Sequence, residues 1–212
     1  MRLDQTPIIA ILRGIRPDEV LEVSRALFER GIRGIEVPMN SPDALESVRR
    51  VSRSLGESCL CGAGTVLDAA QVDAVHAAGA KLIVAPNSDA NVIRRAVALG
   101  LEVLPGFLTP TEAFTALSAG ARHLKLFPAQ TCGTSHMQAL RAVLPRDTKI
   151  FAVGGVGPQT IAGWRAAGVD GIGVGSDLYR PGSSADEVAE RAARIVAAFA
   201  LPSTEQRDLV GS

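Results

Sequence analysis

The sequence predicts a single-domain (β/α)₈ barrel, and three observations support this fold. The chain has 212 residues, a length that suits one domain. Short runs rich in β-branched residues alternate with longer amphipathic stretches, and this pair of patterns occurs eight times. A weak internal repeat (RGIRGIEVP, AGAKLIVAP, AGARHLKLFP and AGVDGIGVG) places a helix-ending glycine before every second strand. An open doubly wound sheet is the alternative fold.

The eight strands are predicted from short aliphatic runs, and the helices between them from proline and glycine at their ends. The predicted strands are Pro7–Arg13, Gly34–Pro38, Cys59–Gly64, Lys81–Pro86, Glu102–Gly106, His123–Phe127, Lys149–Gly154 and Gly171–Gly175. Prolines open four helices, at Pro17, Pro42, Pro110 and Pro158. Glycines close four, at Gly31, Gly79, Gly120 and Gly168. Residues 1–202 are assigned to the barrel, and the polar residues 203–212 to a loose tail.

The composition narrows the class of partner and the compartment. Acidic and basic residues balance, at 22 each, and the basic ones are scattered, which argues against nucleic acid or a membrane surface as a partner. Cys59, Cys61 and Cys132 do not form a disulfide framework. The first residues lack the pattern of a signal peptide, and no apolar run is long enough to span a membrane. We therefore expect a cytoplasmic protein.

Two charged residues lie late in predicted strands, where the active sites of barrels are found. Lys125 lies between Leu124 and Leu126, so strand alternation directs it into the barrel if the leucines face the helices. A buried neutral amine is a nucleophile towards ketones, although a snorkelling or salt-bridged lysine is the alternative. Glu36 follows the same pattern in GIEVP. It is either the counter-ion of Lys125 or an acid–base group, and the two roles are compatible.

Further candidates for ligand binding follow other strands. Arg13 ends the first strand and suits a carboxylate or phosphate, and Thr65 offers a hydroxyl or N–H to the same anion. The glycine-rich segments after strands seven and eight, GGVGP and GVGSDL, suit a phosphate, since such loops let backbone N–H groups approach a ligand. Neither has dinucleotide-binding spacing. The histidines form no recognisable cluster, so we expect no metal site.

Taken together, several motifs resemble the 2-dehydro-3-deoxy-phosphogluconate/phosphogalactonate aldolase family. They are IAILRGI, IEVPMNSP, GAGTVL, LIVAPN, LPGFLTPTEAF, LKLFPA, FAVGGV and GVGSDLYRPG, between about residues 7 and 200. The resemblance implies a class I aldolase that cleaves a six-carbon substrate to pyruvate and D-glyceraldehyde 3-phosphate. It places the Schiff-base lysine at Lys125 and the proton-transfer glutamate at Glu36. It also implies substrate binding by Arg13 and Thr65, and phosphate binding by Gly154, Gly155, Gly175 and Ser176.

The resemblance also bears on the substrate. Many phosphogluconate-specific members carry arginine where this chain has Asn40 and a hydroxyl residue where it has Val153, so both positions match the phosphogalactonate branch. We therefore expect Val153 to contact the substrate, a phosphorylated 2-keto-3-deoxy sugar acid. The family resemblance also implies a homotrimer that needs no metal and no organic cofactor. A phosphogluconate or 4-hydroxy-2-oxoglutarate aldolase with the same lysine is one alternative. A non-catalytic sugar-phosphate-binding barrel is another.

Overall fold

The computed structural model describes residues 1–201, and its centre is a parallel β-barrel. Within this range there are nine strands, all of them paired in parallel. The strands are β1 (Ile8–Ile11), β2 (Gly34–Pro38), β3 (Leu60–Gly64), β4 (Leu82–Val84), β5 (Glu102–Leu104), β6 (Gly106–Phe107), β7 (His123–Leu126), β8 (Lys149–Val153) and β9 (Gly171–Val174). Their order in the sheet is β5-β4-β3-β2-β1-β9-β8-β7-β6.

The two ends of this sheet, β5 and β6, are consecutive in the chain, so the sheet curves round to an almost closed barrel. The sequence prediction of one strand over Glu102–Gly106 is wrong at Pro105, because this residue separates β5 from β6. Proline has no N–H to donate to a ladder. Its carbonyl still accepts a hydrogen bond of 2.8 Å from the Lys125 N–H, which joins the fifth strand position to β7. The predicted barrel is therefore confirmed, and the open sheet is wrong.

Helices lie outside the strands, as the alternating pattern predicts. They are α1 (Val20–Glu29), α2 (Ala44–Leu55), α3 (Ala69–Ala77), α4 (Ala90–Ala98), α5 (Pro110–Ser118), α6 (Ala129–Arg141), α7 (Ile161–Ala166) and α8 (Ala185–Ala200). The four glycines predicted to close helices all have positive φ just after a helix, between +87° and +105°. No helix among residues 1–201 is long and apolar enough to cross a membrane.

The prolines predicted to open helices agree only in part with the structure. Pro110 is the first residue of α5, where Thr109 and Glu112 form a capping box. Pro17, Pro42 and Pro158 instead lie in turns that lead into α1, α2 and α7. The predicted tail, residues 203–212, lies outside the described residues.

Side-chain alternation separates the barrel interior from the layer beneath the helices. The interior apolar cluster consists of Leu3, Ile9, Ile11, Leu60, Leu82, Val84, Leu104, Phe151 and Val153. A short 3₁₀-helix, Leu3–Gln5, supplies Leu3, and the adjacent Asp4 carboxylate lies 2.9 Å from Nε2 of the buried His123. These contacts lie at the end of the barrel where the strands begin. The candidate site lies at the opposite end, where the strands terminate.

Candidate active site

Lys125 points into the barrel. Leu124 and Leu126, on either side, are fully buried in the cluster that faces the helices, and strand alternation directs the lysine the other way. Its side chain is only 6% exposed. Burial lowers the pKa of the Lys125 ammonium; the nearby Glu36 carboxylate opposes this effect, and the Arg13 charge adds to it. These surroundings favour the neutral amine, which is the nucleophilic form.

Glu36 faces the same interior space from β2. Ile35 and Val37 lie in the helix-facing cluster, and the Glu36 side chain is 2% exposed. Burial raises the pKa of the Glu36 carboxyl from 4.5 to about 6, although the charges of Lys125 and Arg13 act in the opposite direction. Within residues 1–201, the Glu36 Oε2 atom has no hydrogen-bond partner. A carboxyl with a pKa near neutrality is suited to accept and return a proton.

Three polar residues meet beside this pair, at the ends of β1, β2 and β3. Arg13 Nη1 donates a hydrogen bond of 2.5 Å to Asn40 Oδ1, and Arg13 Nη2 donates one of 3.5 Å to Thr65 Oγ1. Thr65 has a positive φ of +56°, a conformation that is unusual for a residue other than glycine. The guanidinium is exposed, and its charge affects the pKa of both Lys125 and Glu36. The group therefore provides an anion-binding fork next to the reactive amine.

The two glycine-rich loops lie after β8 and β9. Gly154 and Gly155 both have positive φ, at +98° and +69°. The Gly154 carbonyl accepts a hydrogen bond of 3.1 Å from the N–H of Gln130, in the first turn of α6. After β9, the Gly175 carbonyl accepts hydrogen bonds from the N–H groups of Leu178 and Tyr179, which makes a tight turn.

These loops leave backbone donors free. In the part of the chain that the structure describes, several N–H groups of these loops donate no hydrogen bond to the protein; they belong to Gly154, Gly155, Val156, Gly175, Ser176 and Asp177. Gly155 and Ser176 are also exposed. Free N–H groups on two adjacent loops are the donors that a phosphate group requires.

Val153 forms an apolar part of the barrel wall between these features. It is the last residue of β8, it is 4% exposed, and it belongs to the interior cluster. A Cβ atom added to Gly173, its partner in β9, would lie 2.8 Å from Val153 Cγ2. The Val153 side chain therefore covers the face of β9 and offers no hydrogen bond at this position.

Two residues of this site were not predicted from the sequence. Phe127 places its ring centroid 4.7 Å from Lys125 Nζ, and the signal for it was its position two residues after the lysine, on the same face. Gly64 lies directly beneath the Glu36 carboxyl, as a Cβ atom added to it would lie 1.3 Å from Glu36 Oε2. Its only signal was a glycine late in β3.

The cysteines, His123 and His136 make no hydrogen bond to Lys125, Glu36, Arg13 or Thr65 within residues 1–201. Cys59 and Cys61 are buried and free, and Cys132 is a free, half-buried thiol. His136 Nε2 contacts the Leu108 carbonyl at 2.7 Å, whereas His123 lies at the opposite end of the barrel. Among residues 1–201, no group of three or more histidine, cysteine, aspartate or glutamate side chains has metal-binding geometry.

Comparison with known proteins adds the family to this geometry. The family model described as KDPG and KHG aldolase matches residues 1–194. The 2-dehydro-3-deoxy-6-phosphogalactonate aldolase of Escherichia coli (strain K12) is 50% identical over 91% of this chain and 94% of its own. The 2-dehydro-3-deoxy-phosphogluconate aldolase of Treponema pallidum (strain Nichols) is 29% identical over 76% of each chain.

A solved structure agrees with these sequence relationships. The structure described as "Native KDPGal structure" superposes with a TM-score of 0.90, at 48% identity, and the match covers 97% of both chains. The family model spans most of this chain, and a buried lysine and a buried carboxyl lie at the end of its barrel. This chain therefore belongs to the KDPG and KHG aldolase family.

Proposed function

We propose that this protein is a class I aldolase that cleaves 2-dehydro-3-deoxy-6-phospho-D-galactonate to pyruvate and D-glyceraldehyde 3-phosphate. The observation that carries the proposal is the pair of Lys125 and Glu36. Both are buried in the barrel of a family member, the pKa of the amine is lowered, and the pKa of the carboxyl is raised to about 6. An amine that is readily neutral and a carboxyl that exchanges protons near neutrality are what imine-based cleavage needs.

The reaction begins with attack of the neutral Lys125 Nζ on the C2 ketone of the substrate. Loss of water from the resulting carbinolamine gives a protonated imine, whose positive charge makes it an electron sink. Arg13 and Thr65 hold the adjacent carboxylate, because their hydrogen-bonded group lies beside Lys125. The free N–H groups of the loops at Gly154–Gly155 and Gly175–Ser176 bind the phosphate at the other end of the substrate.

Cleavage then requires a base for the C4 hydroxyl, and Glu36 supplies it, directly or through one water. As the carboxylate takes that proton, the electrons of the C3–C4 bond move into the imine, which becomes an enamine. Glyceraldehyde 3-phosphate leaves. The protonated Glu36 carboxyl returns its proton to the enamine at C3, which restores the carboxylate, and hydrolysis of the resulting imine releases pyruvate and the free Lys125 amine. In this proposal the protein uses no metal or organic cofactor, because the imine itself accepts the electrons.

The proposed substrate rests on the similarity to the phosphogalactonate aldolase. The sequence identity to that enzyme is 50%, whereas the identity to the phosphogluconate aldolase is 29%. Two site residues support it. Val153 presents an apolar surface, and Asn40 accepts a hydrogen bond from Arg13. Since the two substrates differ in configuration at C4, a residue without a hydroxyl in this wall relaxes or reverses, in this proposal, the preference found in phosphogluconate-specific members.

The test is sodium borohydride reduction in the presence of pyruvate, followed by peptide mass mapping. We expect one reduced adduct, on Lys125, and absence of that adduct would refute the proposed chemistry. Cleavage rates on phosphogalactonate, phosphogluconate and 4-hydroxy-2-oxoglutarate substrates decide the specificity. A preference for either of the last two would favour the alternative aldolase, and binding without turnover would favour a non-catalytic barrel.

Replacement of Arg13 tests whether its guanidinium binds the carboxylate of the substrate. We expect Arg13→Ala to raise the pyruvate concentration needed for half-maximal borohydride trapping roughly 10- to 100-fold, since a charge-assisted hydrogen bond contributes about 1.5–3 kcal/mol. The control is Arg13→Lys, which keeps the charge but not the planar fork, and it should lie between wild type and Arg13→Ala. Equal trapping curves for all three proteins would remove Arg13 from substrate binding.

Replacement of Val153 tests whether this part of the barrel wall sets the preference between the two substrates. Val153→Thr adds one hydroxyl at nearly constant volume, so we expect the ratio of kcat/KM for phosphogluconate over phosphogalactonate to rise by about tenfold. Val153→Ala is the matched control, because it removes apolar volume without adding a hydrogen-bonding group. If the ratio stays the same in Val153→Thr, or rises equally in Val153→Ala, the hydroxyl at this position does not set the preference.

Three further properties stay predictions. We propose a homotrimer in the cytoplasm, on the resemblance to metabolic enzymes of this family, and a barrel domain over residues 1–202 with a polar tail over residues 203–212. Light scattering coupled to size-exclusion chromatography measures the assembly. Limited proteolysis with mass spectrometry locates the domain boundary, and we expect the first cuts to fall in the polar tail.

A further inference from the structure

Gly64, the last residue of β3, is not required for backbone conformation. It pairs with Pro38 of β2 in a regular parallel ladder. It is also not among the glycines with positive φ in the described chain. An alanine adopts strand geometry without strain. The reason for glycine at this position therefore lies in the space above its Cα atom.

That space is filled by the Glu36 carboxyl. A Cβ atom built on Gly64 would lie 1.3 Å from Oε2, 2.3 Å from the carboxyl carbon and 2.8 Å from Oε1 of Glu36. Gly62, two residues earlier on the same face, differs, because its added Cβ would collide with the backbone carbonyl of Leu82 at 1.9 Å. Of these two glycines, Gly64 is the one whose added Cβ would collide with the side chain proposed to be the catalytic base.

The strand register explains the contact. Glu36 is in register with Gly62, and Pro38 with Gly64. The Glu36 side chain therefore leans along the strand, towards the open end of the barrel, and comes to lie over Gly64. No hydrogen bond holds its Oε2 atom within residues 1–201. Packing against the bare backbone of Gly64 thus replaces hydrogen bonding as the constraint on this oxygen.

We propose that Gly64 is a positioning residue for the aldol reaction, holding the Glu36 carboxyl where it reaches the C4 hydroxyl of the substrate. This inference rests on the proposed function. Two charged side chains face the carboxyl, Lys125 from β7 and Arg13 from the end of β1. A methyl group on residue 64 displaces the carboxyl from its position against the backbone, and displacements of about 1 Å in an active site cost roughly 100-fold in rate.

The first test is the kinetics of Gly64→Ala. We expect kcat for cleavage to fall by about 100-fold, while borohydride trapping of pyruvate on Lys125 persists, because the lysine is not displaced. The acid limb of the kcat/KM profile should move below the value of about 6 set by burial of Glu36, since the displaced carboxyl is less desolvated. Gly163→Ala is the control: Gly163 lies exposed in α7, and an added Cβ there meets nothing within 4 Å.

The second test is rescue by a shorter acid. Glu36→Asp withdraws the carboxyl by one methylene and so relieves the collision with a residue-64 methyl group. Adding Gly64→Ala to the Glu36→Asp enzyme should therefore slow cleavage by less than about threefold, against about 100-fold in the wild-type background. A purely structural effect of Gly64→Ala would be equal in both backgrounds.

Stability measurements cover the case in which Gly64→Ala folds poorly. We expect Gly64→Ala to lower the melting temperature by roughly 5 °C, as overpacking does, but to leave it unchanged in a Glu36→Ala background, where the colliding group is gone. Wild-type kinetics in Gly64→Ala, or the same losses in every background, would overturn the proposal. If the wild-type enzyme itself gives no adduct on Lys125, the proposed function fails, and this inference falls with it.

Discussion

Replacement of Lys125 by methionine is expected to reduce cleavage by at least about 10⁴-fold, because the variant has no amine to form the imine. Methionine is chosen since its volume and apolar character suit the interior, and its thioether retains a favourable contact with Phe127, whose ring now lies 4.7 Å from Lys125 Nζ. The variant should fold, so the loss is chemical. Single-turnover assays measure the residual rate, and borohydride trapping should give no adduct.

The matched control is Lys81→Met, at another of the three lysines of the chain. Lys81 is exposed, and its Nζ donates a hydrogen bond of 3.1 Å to the Gly56 carbonyl, far from the open end of the barrel. We expect this variant to keep its activity and its adduct on Lys125. An adduct on another lysine, or substantial cleavage by Lys125→Met, would assign the imine elsewhere.

The barrel was predictable from the sequence because local patterns and global architecture agree. Leu124 and Leu126 mark the helix-facing side of β7, and positive-φ glycines such as Gly31 mark the ends of helices. The break at Pro105 was missed, since an aliphatic run concealed a residue that cannot donate to a ladder. Hydrophobic pattern gives the position of a strand, but a single missing donor decides where it is interrupted.

The site was predictable where chemical character is visible at the end of a strand. Arg13, Asn40 and Thr65 follow three neighbouring strands, so parallel order alone brings them together. The contact of Glu36 with Gly64 is different, because it depends on the register of β2 against β3 and on the direction in which the side chain leans. Neither quantity is encoded in residue spacing along one strand.

Replacement of Glu36 by glutamine is expected to slow cleavage by about 10²–10⁴-fold, the range that general acid–base catalysis contributes. Imine formation on Lys125 should remain detectable, because the amide removes the base and leaves the amine. Single-turnover cleavage and borohydride trapping on the same preparation separate the two steps. Unchanged turnover would remove Glu36 from the mechanism, and loss of both activities would assign it to imine formation instead.

The pH dependence of the wild-type enzyme follows from the same carboxyl. Burial raises the pKa of Glu36 to about 6, and the base acts in its ionised form, so kcat/KM for cleavage should rise with pH through about 6. In Glu36→Gln the residual rate should lose this limb. A limb that stays at the same pH in the variant would belong to another group.

The pH dependence of the free energy of unfolding gives an independent measure of the pKa shift of the Glu36 carboxyl. Its pKa is about 6 in the folded protein and near 4.5 when unfolded, so the native state binds the proton more tightly. The stability that this protonation provides is fully present below pH 4.5 and is lost as pH rises through 6. The ionised, buried carboxylate then costs about 2 kcal/mol. Denaturant unfolding should show Glu36→Gln gaining stability relative to wild type by about that amount between pH 4.5 and 7; a constant difference would place the carboxyl in water.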